Sequence, residues 1–167
     1  MNQTEANALL ASIVSYASLA SDTNFTLHAS EGVHMSKTLA AARAVSDKSK
    51  LCGYFQHTVM ETVTVRTDSE GYTLPKPQKI SRPTKHSEDV NGVEYLRLIK
   101  AFFRSGSVTA TPSTASSTLA TMKGPIPAGF TGYTNTLGTA TYTAVTNMQA
   151  IVSKGSNWQL VTIYPVA

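Results

Sequence analysis

Few side chains in this 167-residue sequence are equipped for covalent or acid–base chemistry, and the versatile ones all lie in its first part. Cys52 is the single cysteine, the four histidines are His28, His34, His57 and His86, and no Asp, Glu, His or Cys follows Glu94. Residues 95–167 therefore supply no general base, thiol nucleophile or side-chain metal ligand of the usual kinds. Cys52 and His57 stand five positions apart, but a working nucleophile and base are defined by spatial geometry and not by closeness along the chain. The expected role of Cys52 is a small buried thiol beside Leu51 and Tyr54. No two histidines sit with a carboxylate at a ligand spacing, so neither a metal nor a cofactor is expected. The stretch Gly124-Pro125-Ile126-Pro127-Ala128-Gly129 lacks the Lys-Ser/Thr of a phosphate-binding loop and reads as a turn.

The stronger chemical signal is cationic. Seven bases, Lys76, Lys79, Arg82, Lys85, Arg97, Lys100 and Arg104, lie between Leu74 and Arg104, against only Glu88, Asp89 and Glu94. Such a patch binds phosphate backbones through counterion release. Tyr72, Tyr95, Phe102 and Phe103 are interleaved with it and are the right kind of side chain to stack on unpaired bases, although aromatics beside Leu96 and Leu98 also suit a core. The seven are the expected nucleic-acid contacts, and RNA is the expected partner.

The rest of the composition points to association. Charged residues make up 14% of the chain, against about 25% in an ordinary soluble domain. Thr, Ser, Ala and Gly fill the carboxy-terminal part, and a surface so poor in charge is weakly protected against self-association. That suits a subunit buried against copies of itself. The length fits one domain, helical over 1–50 and mainly strands and loops over 51–167. A lone cysteine excludes an intrachain disulfide and fits a reducing compartment. The first residues lack a basic region, and serines interrupt Leu9–Leu19, so neither a secretion signal nor a membrane partner is expected.

The elements that must position these residues can be sketched from periodicity. Thr4 is the expected cap of a first helix running to about Ala20, with Leu9, Leu10, Ile13, Val14 and Ala17 on one face. A second, short helix is expected over 36–45. His57–Arg66 alternates as a strand, Asp68-Ser69-Glu70-Gly71 is a turn, and Tyr72-Thr73-Leu74 starts a returning arm. Pro75, Pro77 and Pro83 make the basic stretch from Pro75 to His86 an extended edge or loop. Val93–Arg104 fits either a helix, with its cations gathered on one side, or a strand; the β-rich context favours a strand. Further strands are expected at Thr139–Thr146, Met148–Ser153 and Trp158–Tyr164, the last two forming a hairpin around Lys154-Gly155-Ser156-Asn157. The expected class is α+β: a β-rich antiparallel sheet, an N-terminal helix, a second short helix and a C-terminal hairpin. Ile151, Trp158, Leu160 and Ile163 of that hairpin are the expected subunit contacts.

Thr62-Val63-Thr64-Val65-Arg66, the Ser69–Gly71 turn, Tyr72-Thr73-Leu74, the loop Val90–Glu94 and the hairpin Ala150–Tyr164 resemble parts of the coat proteins of small icosahedral RNA viruses, nearest in layout to those of single-stranded RNA bacteriophages. The likeness covers under half of the chain. It implies a dimeric β-sheet subunit that packs into a shell, presents basic and hydroxyl side chains to RNA, assembles in the host cytoplasm and resides in the virion. The first helix, the length and the proline-broken Leu74–Pro83 segment depart from that layout. A tail-tube or head-to-tail joining subunit is the second reading, and a small hydrolase using Cys52 and His57 the third.

Overall fold

Helix α1 (Gln3–Ala17) begins at a reciprocal cap: Asn2 Oδ1 accepts from the Glu5 amide at 2.8 Å, and Glu5 Oε2 accepts from the Asn2 amide at 2.9 Å. The cap is therefore Asn2 and not Thr4, because only Asn2 has an acid three residues ahead to close the box. Ala6, Ile13 and Ala17 form the fully buried stripe of this helix. The computed structural model describes residues 1–17, 39–44, 51–90, 92–155 and 157–167. The expected end of the first helix near Ala20 and the ends of the 36–45 helix lie outside them; α2 is described as Leu39–Ala44.

Two four-stranded antiparallel sheets follow, so the α+β class holds, with two sheets where one was expected. One is ordered β2-β1-β5-β6 and the other β3-β4-β7-β8. The strands are β1 (Gly53–Thr67), β2 (Thr73–Asp89), β3 (Thr109–Pro112), β4 (Leu119–Pro125), β5 (Phe130–Asn135), β6 (Tyr142–Val145), β7 (Asn147–Ser153) and β8 (Gln159–Val166). The three prolines of β2 are tolerated because it is an edge strand, where a missing N–H faces outward. The expected C-terminal hairpin is β7–β8.

Between the hairpin β1–β2 and the second sheet lies α3 (Gly92–Arg104), so the expectation of a strand over Val93–Arg104 is corrected. A strand would put Arg97 on the same face as Tyr95 and Ile99, whereas helical spacing separates them. Tyr95, Leu98, Ile99, Phe102 and Phe103 are all at most 4% exposed, and Arg97 and Arg104 are exposed. Glu94 in the first turn and Arg104 in the last also match the helix dipole.

The core is the space between α1, α3 and one face of the second sheet, filled from the sheet by Ala120, Met122, Met148, Ala150, Val152, Leu160 and Ile163. The first sheet joins at a seam where Pro165 of β8 presses on two glycines. A Cβ on Gly53 would lie 2.5 Å from Pro165 Cγ and 2.7 Å from the Tyr133 carbonyl oxygen; one on Gly132 would lie 2.6 Å from Ile126 Cδ1. We therefore expect Gly53→Ala to overpack the seam and cost about 1–3 kcal/mol, read as a lower urea midpoint; an unchanged midpoint would mean that the sheets are not locked together there.

Candidate nucleic-acid interface

Geometry sets Cys52 and His57 apart. Cys52 is 2% exposed, its amide donates to Asn135 Oδ1 at 2.6 Å, and it packs with Ala42 and Tyr54. His57 lies five residues along the extended chain, roughly 16 Å away, in register with Phe130 and Glu88. A proton cannot pass directly between them. His86 Nε2 lies 3.4 Å from Glu88 Oε1, and His28 and His34 fall outside the described residues. Among the described residues no three His, Cys, Asp or Glu are grouped to hold a metal ion.

The cations are held by two elements. Strand β5 pairs with only Gly53–His57 of β1, so from Thr58 to Thr67 the long hairpin β1–β2 continues as a two-stranded arm. Its ten residues span about 33 Å. The Thr58 amide donates to the Gly129 carbonyl at 2.9 Å and fixes the base, and Thr84 fills an irregularity there by donating to the Val59 carbonyl at 3.0 Å. In register across the arm, Arg82 faces Glu61, Ile80 faces Val63 and Gln78 faces Val65 on one side, while Lys79 faces Thr64, Ser81 faces Thr62 and Pro83 faces Met60 on the other. Lys76, Lys79, Arg82 and Lys85 are all exposed, but pleating splits Lys79 from Arg82. Arg82 is committed to Glu61, with Nε 2.7 Å from Oε1. Lys76, Lys79 and Lys85 have no carboxylate partner among the described residues.

Helix α3 gathers the other three. Arg97, Lys100 and Arg104 line one cleft of about 390 Å³ with Leu96 and Ala101, as steps of three, four and seven along a helix require. The Arg104 Nε donates to the Ala17 carbonyl at 2.6 Å, which ties α3 to the end of α1 and gives this base a structural duty. The Arg97 guanidinium carbon sits 5.3 Å from the centre of the Phe130 ring. The seven bases thus form a strip along β2 and a cluster on α3 and not one patch. Phe130 was not visible as a participant in the sequence, because only the β1–β5 pairing brings it to α3.

The expected subunit contacts divide differently. Leu160 and Ile163 are fully buried inside the single chain, so they have no surface to offer a second copy. Trp158 packs edge-on against Tyr16 of α1, centroids 5.2 Å apart, and Ile151 is half-buried on β7. No protein family, curated protein or solved structure matches the chain. No helix among the described residues is long and apolar enough to cross a membrane.

A tyrosine cluster clamps α2 to the first sheet. Tyr54 stacks on Tyr133 at 4.9 Å and meets Tyr142 edge-on at 5.4 Å, and the Tyr142 hydroxyl donates to the Ala42 carbonyl at 2.8 Å. Burial pushes the hydroxyls of Tyr54, Tyr142 and Tyr164 above their ordinary value of 10.0, with Tyr133 and Asp89 adding to the effect at Tyr54, and Cys52 and Tyr54 adding to it at Tyr142. The unfolded chain then loses these protons first, so the contribution of these tyrosines to stability is complete below pH about 10 and is lost as pH rises above it. Thermal melts across pH 8–12, followed with tyrosinate absorbance, check this. Replacing Tyr142 by Phe removes one of the three groups and should lessen the alkaline decline; an identical decline would show that Tyr142 does not contribute.

Proposed function

We propose that this chain is a self-assembling structural subunit of a virion, a coat protein that contacts RNA. The observation that carries the reading is the β1–β2 arm. An isolated two-stranded ribbon is at best marginal in water, yet this one leaves Val63 and Val65 half-exposed and Met60, Tyr72 and Ile80 at 52%, 69% and 42% exposure. Covering it with other copies would supply the support it lacks within one chain. The sparse charge of the whole sequence favours the same outcome. Residence in the virion, after assembly in the host cytoplasm, follows from this reading.

RNA contact is assigned chiefly to Lys76, Lys79 and Lys85, whose ammonium groups are exposed and free of ion pairs with the described residues. Lys100 lies in the adjoining α3 cluster. Electron microscopy of the purified protein tests the assembly reading. Closed shells support it, rings or tubes transfer the chain to the tail-tube or head-to-tail joining class, and a strict monomer overturns both. Changing Lys76, Lys79 and Lys85 to Gln should flatten the logarithmic salt dependence of binding to a single-stranded RNA homopolymer by about 0.7 for each true phosphate contact. An unchanged slope would make the strip a solvated surface.

A further inference from the structure

The two ends of the arm are chemically unlike. At its base, the arm, the outer side of α3 and the turn before β5 enclose a crook of about 640 Å³. Met60, Pro83, Ala101, Ala128 and Phe130 give it an apolar lining, and Arg97 lies at its edge. At the far end Asp68, Glu70 and Tyr72 make an acidic, aromatic tip. Asp68 is committed to the turn, its Oδ1 accepting from the amides of Glu70 and Tyr72 at 3.0 and 2.9 Å, and Gly71 at φ 88° closes it. Glu70 is exposed with no cation partner among the described residues, and Tyr72 has 69% of its surface in water although the turn makes no use of its side chain. The cations of the arm closest to the tip in sequence, Arg66 on β1 and Lys76 on β2, lie on the strands below the turn.

We propose that the tip of one copy docks in the crook of a second copy, reciprocally, with the Tyr72 ring against Met60, Pro83 and Phe130 and the Glu70 carboxylate facing Arg97. This rests on the self-assembly reading and names its contact. Charge complementarity selects a second copy as the occupant: the same chain carries an acidic aromatic plug and a basic apolar socket, and opposite charge steers such partners together. The geometry is self-consistent as well. Plug and socket sit at opposite ends of one ribbon, so two ribbons running antiparallel about a two-fold axis bring each tip to the other base, as an isologous contact requires. Pairing through the outer edge of β2 is the obvious alternative between copies, but Pro75, Pro77 and Pro83 remove donors and the lysines repel, a combination that blunts strand edges.

Three variants of the full chain test it: Glu70→Arg, Arg97→Glu and the two together, with sedimentation velocity and electron microscopy at matched concentration. Each single change should weaken association by at least about tenfold, and the double change, which restores opposite charges, should recover most of it. Tyr72→Ala should weaken association without altering the thermal melt of the dissociated chain, because the ring is outside the core of the single subunit. Multimers as stable as wild type in both single variants would overturn the proposal while leaving self-assembly standing. So would intact multimers of Arg97→Glu with reduced binding of an RNA homopolymer, which would assign the crook to nucleic acid. A wild-type chain that never associates would overturn both readings.

Discussion

The apolar stripe of α3 is the contact on which the other elements depend. Tyr95, Leu98, Ile99, Phe102 and Phe103 close the space under the second sheet, where the strands contribute small or unbranched side chains such as Ala120, Met122, Met148 and Ala150. Those residues leave room for a large aromatic layer and could not make a core without it. Burying one such aromatic is worth several kcal/mol, so the helix is held by packing more than by its own propensity. Once its inner side is fixed, its outer side is fixed too. Arg97, Lys100 and Arg104 then have to line the surface beside the arm.

The arm follows from a different constraint. Strand β5 pairs with only the five residues Gly53–His57 while β1 continues to Thr67, so the hairpin leaves the body with only its own cross-strand bonds. Inside the body, Pro165 against Gly53 and Gly132 holds the root rigid, and the Thr58–Gly129 hydrogen bond marks where support ends. A rigid root and an unsupported ribbon make a good lever for contact between copies. Lys76, Lys79 and Lys85, which form no ion pair with the described residues, lie on this ribbon, which places cationic side chains next to any surface the arm engages.

Much of this was legible in the sequence, for reasons that differ by element. The alternation of Val59, Glu61, Val63 and Val65 and the Asp-Ser-Glu-Gly turn specify the hairpin locally, and three prolines mark its returning strand as an edge. The periodicity around Leu98 and Phe102 contained the helix, but the β-rich setting outweighed it. Strands β3, β4 and β5 were hidden because their inward positions are filled by Ala110, Ala120, Gly124 and Gly132, which carry little hydrophobic signal. The seven cations were visible as a run, whereas their division was not. It depends on register across the arm, on the Glu61–Arg82 pair and on the reach of Arg104 to Ala17, all long-range facts. Likewise, Leu160 and Ile163 have the same apolar character whether they face a core or a partner, and only the packing of α3 on β8 decides between them.

The central claim is that the arm lacks support in one chain and gains it from other copies. Amide hydrogen exchange of residues 58–67 and 73–87, compared between assembled and dissociated protein, tests it directly. Rapid exchange of the cross-strand-bonded amides of the arm beyond Thr58 is expected in the dissociated chain, with marked slowing on assembly while the amides of β4 and β7 stay protected in both. Equal exchange of the arm in the two states, in particles shown to be intact, would contradict it.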